Sequence, residues 1–297
     1  WQRRKKRIME SWRRNLPLLV SGSAILGLVV LMRRRSLLKT AQVQINKQLG
    51  TYSQVVARQA TSCKTVHFVR HAQALHNEKF NKTKDRKAYQ DPRFEDAELT
   101  ALGKEQCATA KAEWASARGR HGYGPPELVV VSPLRRCLQT ATLAFGQYAG
   151  QVPWVALEEV RERNGHHPCD RRRPLAHARK EFPHVDFSLV KDEEDVTWGD
   201  GRWRESDEEM AVRSAALLKF LAGRPERNII VVTHSAFLLC TFNKVVVCEP
   251  ELRRWFANCE RRSVALDFGA DPATRQLCQP EASTLTIATD EPAAPKS

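Results

Sequence analysis

Residues 65–71 read TVHFVRH, an apolar run that ends on two side chains suited to binding an anion. Two further runs end in the same way, since residues 128–136 read LVVVSPLRR and residues 229–235 read IIVVTHS. Short runs rich in valine and isoleucine are typical of strands buried in a parallel sheet. The sequence therefore predicts an α/β fold with a mostly parallel central sheet and helices on both faces.

Polar side chains stand at the ends of these runs, namely Arg70 with His71, then Arg136, then His234. Ligands of open α/β sheets bind outside the carboxyl ends of the strands, where the strand order reverses. We therefore expect these four side chains to meet at one edge of the sheet. Two guanidinium forks and two imidazoles indicate phosphoryl transfer, because arginine can bind phosphoryl oxygens through two parallel hydrogen bonds.

The three segments resemble the motifs of the histidine phosphatase superfamily, which includes the cofactor-dependent phosphoglycerate mutases. The matching stretches are Val69–Ala72, Ser132–Thr140 and Val232–Ser235, with lesser matches at Asn77 and Leu99–Gly103. Residues 161–172 also resemble the phosphoglycerate mutase-like proteins of plants, algae and fungi. The resemblance covers roughly residues 64 to 268, which is most of the chain.

The resemblance implies a phosphomonoester hydrolase that works through a phosphohistidine on His71. A neutral imidazole can attack a phosphate monoester without charge repulsion and splits one displacement into two easier ones. The resemblance also implies that Arg70, Asn77, Arg136 and His234 bind the phosphoryl group, with His234 donating to an oxygen as charge develops. No metal or other cofactor is expected, and the partner is a small phosphorylated substrate.

The leaving group needs a proton, and three glutamates compete to donate it: Glu158, Glu159 and Glu162. The proton donor of the family is a glutamate shortly before a glycine. Glu162 fits best because Gly165 follows it, and Glu159 is held in reserve. A general acid near neutral pH needs a raised pKa, which partial burial can supply.

Two other functions remain open at this point. Phosphoglycerate mutase-type transfer is the nearer alternative, but the chain lacks the Gly-Ile-Pro-type segment that the mutases carry after the second histidine. An inactive, membrane-tethered interaction protein is an alternative of another class. Usable residues at all the pocket positions argue against it, so hydrolysis is preferred.

Smaller features carry structural expectations. Ser132 and Pro133 are expected as the N-cap and first residue of a helix, and Ser206–Glu209 as a capping box that opens another. Residues 166–173 and 196–204 are expected to line the pocket, where Arg171, Arg172 and Arg173 could attract an acidic substrate. Other histidines are expected to be structural or to lie in packing and surface positions: His67, His76, His121, His177 and His184. The stretch His166–Asp170 is not expected to bind a metal, because no second cluster stands at ligand spacing.

The positive charge of the chain is concentrated near its N-terminus. Residues 1–64 carry fourteen basic side chains and one acidic side chain, Glu10, whereas the other 233 residues carry 34 basic and 33 acidic ones. Because the excess charge lies outside the region that carries the motifs, it does not indicate a nucleic-acid-binding domain. We expect no nucleic-acid partner.

A hydrophobic stretch, Leu16–Met32, lies within the basic leader, residues 1–40. Its seventeen residues carry no charge, and as a helix they would span roughly 25 Å, the short end for crossing a membrane. We expect a single-pass anchor near the N-terminus. The alternative is a plastid or mitochondrial transit segment, because the leader is rich in arginine and nearly free of acid. A linker (41–62), the catalytic domain (63–270) and a disordered tail (271–297) are expected to follow.

Overall fold

The computed structural model describes residues 63–268 and 277–278. The strands in this part of the chain are β1 (Cys63–Arg70), β2 (Leu128–Val131), β3 (Trp154–Ala156), β4 (Asn228–Thr233), β5 (Arg261–Asp267) and β6 (Leu277–Cys278). They form one sheet in the order β3-β2-β4-β1-β5-β6. The four strands from β3 to β1 run parallel, whereas β5 and β6 are antiparallel to their neighbours. The predicted α/β fold with a mostly parallel sheet is confirmed.

Helices surround the sheet. The α-helices are α1 (Leu75–Thr83), α2 (Ala101–His121), α3 (Arg135–Phe145), α4 (Leu175–Glu181), α5 (Asp207–Gly223) and α6 (Ser235–Cys240), which continues into a π-helical turn (Thr241–Val245). Single 3₁₀ turns lie at Arg86–Gln90, Pro92–Phe94, Gly146–Tyr148, Glu158–Val160, Pro168–Asp170 and Pro250–Arg253.

The alternation of side chains along the strands produces two hydrophobic cores. Val129 and Val131 point into one core, which they share with residues of α2 and α3. Leu128 and Val130 point into the other, which they share with residues of α5 and α6. All four side chains of β2 are buried, as expected for a strand covered on both faces. The continuous apolar run of this strand follows from that double burial.

The two predicted helix starts differ in outcome. The capping box is present, since Ser206 Oγ accepts from the Glu209 N–H at 3.2 Å and Glu209 Oε2 accepts from the Ser206 N–H at 2.8 Å. The N-cap prediction for Ser132 is wrong, because α3 begins at Arg135 with Leu134 as its N-cap. The Ser132 hydroxyl instead contacts the His234 ring.

Several predicted segments lie outside the described residues. These are the leader (1–40) with its hydrophobic stretch Leu16–Met32, the linker (41–62) and almost all of the tail (271–297). Within the part of the chain that the structure describes, no helix combines the length and the apolar composition that a bilayer crossing requires.

Candidate active site

The candidate active site lies where β1 and β4 end. These strands are parallel neighbours with Arg70 opposite Thr233, so His71 and His234 follow side by side. The backbones stay bonded past the strand ends, because the His71 N–H donates to the Thr233 carbonyl at 2.9 Å. The two imidazole centroids are 5.1 Å apart. Sheet register thus brings together two histidines that are distant in sequence.

The hydrogen bonds of His71 identify its tautomer. Its Nδ1 lies 2.7 Å from the Ala72 carbonyl oxygen, which can only accept, so Nδ1 carries the proton. Nε2 therefore keeps a lone pair, to which Arg136 Nε donates at 3.3 Å. Burial first, then the charges of Arg136 and Arg70, lower the pKa of His71 well below 6.5. His71 is thus neutral near pH 7, the form in which histidine is a nucleophile.

Arg136 joins the two histidines from β2's side of the sheet and is only 1% exposed. Besides His71, its guanidinium contacts His234 Nδ1 at 3.1 Å and Asp170 Oδ1 at 2.9 Å through Nη2. Its Nη1 donates to the Cys169 carbonyl at 2.5 Å. All three nitrogens of the fork are therefore engaged by protein groups. A phosphoryl group that binds here must replace some of these contacts.

His234 is held between Arg136 and Ser132. Arginine cannot accept a hydrogen bond, so the Nδ1 that faces Arg136 is unprotonated in this arrangement. Nε2 lies 2.8 Å from Ser132 Oγ, and the Cys137 thiol is 3.3 Å from the same nitrogen. A hydroxyl can accept or donate. If Ser132 donates to Nε2, the proton moves to Nδ1, which can then donate to a phosphoryl oxygen.

Asn77 and Arg70 are the other two predicted phosphoryl-binding residues, and both are buried. Asn77 lies in the first turn of α1, where its Oδ1 accepts from the Ala74 N–H at 3.1 Å. That bond fixes the side-chain amide. Arg70 donates from Nη1 to the Phe256 carbonyl at 2.7 Å, which fixes its guanidinium in the same way.

The three candidate glutamates occupy different surroundings. Glu162 is half-buried, and its Oε2 accepts from the Ala236 N–H at 3.3 Å and from Ser235 Oγ at 3.4 Å. It therefore lies at the start of α6, directly after the second histidine. Glu158 is paired with two arginines, and among the described residues the Glu159 side chain makes no hydrogen bond or ion pair. Of the three, Glu162 is the one whose carboxylate contacts the residues that follow His234.

Asp170 is a buried carboxylate to which the sequence analysis assigned no role. It pairs with Arg136 and also contacts Arg204 Nη1 at 3.4 Å and His167 Nδ1 at 3.7 Å. Burial alone would raise its pKa, but the contact with His167 and the charges of Arg136 and Arg204 hold it well below the usual range. The protein thus supplies its own anion to the guanidinium of Arg136.

Known proteins resemble this chain over the region that carries the candidate site. Residues 66–272 match the family described as the histidine phosphatase superfamily (branch 1). The chain belongs to the histidine phosphatase superfamily. Phosphoglycerate mutase-like protein 1 of Arabidopsis thaliana is 38% identical, over 69% of this chain and 81% of its own length. Another phosphoglycerate mutase-like protein of that plant is 35% identical, over 71% and 89%. A solved mycobacterial glucosyl-3-phosphoglycerate phosphatase aligns over 73% of this chain and 96% of its own, at 22% identity and a TM-score of 0.46.

In this member of the superfamily, most of the predicted site residues lie close together. We call the following set the phosphoryl cradle: Arg70, His71, Asn77, Arg136 and His234. His71, Arg136 and His234 are in direct contact, and the charge of Arg70 acts on His71. The cradle is closed to solvent, because each of its side chains is buried.

Sequence reasoning missed some residues of the site. His76, expected in a packing or surface position, is buried, and its ring centroid lies 6.1 Å from that of His71. Its position directly before Asn77 was the available signal. Ser132, expected as a helix cap, orients His234 instead. His67 is the structural residue that was expected.

The arginine run is mostly engaged in internal pairs, against expectation. Arg172 is buried, and its Nε donates to Glu158 Oε1 at 3.0 Å. Arg173 is paired with Asp96. Arg171 is the exposed member, with its nearest carboxylate 3.6 Å away. The expectation that all three attract an acidic substrate is therefore wrong for Arg172.

The stretch from His166 to Asp170 helps to position Arg136 of the cradle. Its Cys169 carbonyl and Asp170 carboxylate both accept from Arg136. Over the residues that the structure describes, no three histidine, cysteine or acidic side chains are grouped so that they could hold a metal ion.

Proposed function

We propose that the chain is a phosphomonoester hydrolase that forms a phosphohistidine on His71. The observation that carries the proposal is the tautomer of His71, whose unprotonated Nε2 lies in contact with Arg136. A phosphoryl group bound by Arg136 would meet that lone pair directly. Membership of the superfamily supports phosphoryl transfer in general.

The proposed reaction has two steps. In the first, His71 Nε2 attacks phosphorus, the P–O ester bond breaks, and Glu162 gives its proton to the leaving oxygen. In the second, Glu162 takes a proton from water, which attacks the phosphohistidine and releases inorganic phosphate. Arg136 and Arg70 neutralise the phosphoryl oxygens in both steps. His234 donates through Nδ1 once Ser132 donates to its Nε2.

The test measures phosphate release from p-nitrophenyl phosphate by the purified protein and by His71→Ala. We expect turnover to disappear in the variant and an alkali-stable, acid-labile phosphoenzyme to be trapped in the wild type only. His177→Ala is the matched control, because His177 lies exposed on α4. Turnover that persists in His71→Ala would overturn the proposal. Transfer of the phosphoryl group to a second alcohol in place of water would show mutase chemistry instead.

We propose that residues Leu16–Met32 anchor this enzyme in a membrane. The support is the uncharged apolar stretch between arginine clusters. Carbonate extraction of cells expressing the full chain tests it. The full-length chain should stay with the membrane pellet, whereas a soluble chain shortened past residue 40 would indicate a transit segment.

A further inference from the structure

His76 has an unusual position for a buried histidine. It is the second residue of α1, only 3% exposed. Its Nδ1 is buried, and among the described residues it has no hydrogen-bond partner. Buried polar atoms in folded proteins nearly always have partners, and leaving one unpaired costs stability. A partner that arrives with the substrate would explain the arrangement.

The surroundings of His76 show where such a partner would come from. Its ring centroid lies 6.1 Å from that of His71, and Arg136 and Asp170 are the charged groups that act on it most strongly. On its other side the ring is 5.7 Å from Tyr89. His76 therefore borders the phosphoryl cradle.

A row of rings continues from there to the surface. Tyr89 stacks on His167 with centroids 5.6 Å apart, and His167 lies 5.3 Å from His166, which is exposed. In an in-line displacement the leaving group departs on the side opposite the nucleophile. His76 stands between the nucleophile and this row, where a leaving group would pass.

We propose that His76 is a further catalytic residue, whose Nδ1–H donates a hydrogen bond to the ester oxygen of the phosphomonoester as the P–O bond breaks. The inference rests on the proposed hydrolase function. No proton leaves His76, because Glu162 delivers the proton to the second lone pair of the same oxygen. The hydrogen bond stabilises the charge that develops there, so it matters most for leaving groups that are strongly basic.

The test compares two substrates and three variants. Glycerol 2-phosphate has a basic alkoxide leaving group, whereas p-nitrophenyl phosphate has a weakly basic one. His76→Phe keeps an aromatic ring at this position but removes both ring nitrogens. An asparagine amide at this position reaches the place of Nδ1, and a glutamine amide reaches the place of Nε2. Comparing His76→Asn with His76→Gln therefore shows which of the two ring nitrogens is needed.

We expect His76→Phe to lower kcat/KM about a hundredfold for glycerol 2-phosphate and less than about threefold for p-nitrophenyl phosphate. His76→Asn should recover at least about tenfold of that loss, and His76→Gln should not. His177→Phe, on the exposed surface of α4, is the matched control and should leave both rates unchanged. Thermal unfolding checks that each variant folds.

Equal losses on both substrates would overturn the inference, because a packing role has no dependence on the leaving group. Equal recovery by asparagine and glutamine would overturn it too. If His76→Phe does not fold, the asparagine and glutamine variants decide by the same criterion. Failure of the proposed function is recognised separately, since turnover would then persist in His71→Ala whatever the variants of His76 do.

Discussion

The phosphoryl cradle and the loops above it are built on different physical principles. We call residues 158–173 and 192–205 the wall. His71 and His234 of the cradle follow strand ends, and backbone hydrogen bonds such as that from His71 to Thr233 fix their positions, whereas Asn77 and Arg136 lie in the first turns of helices. The wall contains almost no strand pairing beyond a single bridge between Gly165 and Arg204. Two 3₁₀ turns, Glu158–Val160 and Pro168–Asp170, give it local backbone bonding, and side chains connect its distant parts.

Buried and half-buried arginines connect those parts. Arg161 is fully buried and bonds Asp195 at 2.5 Å and Glu158 at 2.8 Å. Arg213 holds Glu205 through two bonds of 2.6 Å. Removing one partner of a buried pair costs far more than the pair itself contributes, because the remaining charge is left without compensation. We therefore expect substitutions in the cradle to lower mainly the catalytic rate, and substitutions in the wall to lower mainly the free energy of unfolding.

The largest effect is expected in the cradle. Arg136→Lys should lower kcat/KM about a thousandfold, because lysine keeps the charge but cannot bridge both histidines and a phosphoryl group. Steady-state kinetics with p-nitrophenyl phosphate measures it. Arg135→Lys is the matched control, since Arg135 pairs with Glu98 and Glu181 outside the cradle. Activity of Arg136→Lys within tenfold of wild type would contradict the assigned role.

The sequence indicates which side chains are brought together at the strand ends, but it does not indicate the ion pairs that order the wall. Strand ends are visible as apolar runs, and parallel pairing brings the residues after them together. The Arg136–Asp170 and Arg161–Asp195 pairs join residues far apart in the chain, with no local pattern that indicates them. The missed role of Ser132 has a related cause, because its hydroxyl is bonded by a residue of another strand.

The next largest effect is expected in the wall. Arg161→Met should lower the free energy of unfolding by about 3 kcal/mol, because Asp195 would stay buried without its main counterion. Urea unfolding measures the change. Arg179→Met is the matched control, since the Arg179–Glu193 pair is exposed and should contribute less than about 1 kcal/mol. Equal losses in both variants would mean that wall order does not depend on buried charge.

As the pH falls, the stabilising contributions of the cradle histidines and of the neighbouring His76 should be lost at a higher pH than those of the wall carboxylates. Burial, followed by the charge of Arg136, lowers the pKa values of His71, His76 and His234 well below 6.5. The unfolded chain therefore binds more protons below pH 6.5, and stability falls as the pH decreases, with a slope that approaches about 1.4 kcal/mol per pH unit for each histidine well below pH 6.5. For Asp195, despite the opposing effect of burial, the hydrogen bond and charge of Arg161 lower the pKa to about 2 from 3.8. Its contribution is present above pH 3.8 and is lost only as the pH falls towards 2.

Urea unfolding of His76→Asn at pH 7.5, 6.5 and 5.5 tests this sequence of events. Removing one buried imidazole should reduce the loss of stability between pH 6.5 and 5.5 by about 1 kcal/mol, because the unfolded histidine is already half protonated at pH 6.5. His177→Asn, altered at an exposed position, should follow the wild type. If His76→Asn follows the wild type as well, His76 is not held neutral by the fold.

The smallest effect is expected at the outer surface of the wall, where a charge is neither buried nor part of the cradle. Arg171 lies over the ring of Trp198 at 5.4 Å, and its side chain is 46% exposed. Arg171→Gln should raise KM about twofold for substrates with an anionic tail, because an exposed charge is screened by solvent, and should leave neutral-tailed substrates unchanged. Arg202→Gln, at a more exposed site in the same wall, controls for the general loss of one positive charge. A tenfold rise for Arg171→Gln would place this arginine in direct contact with the substrate, and the wall would then share in recognition.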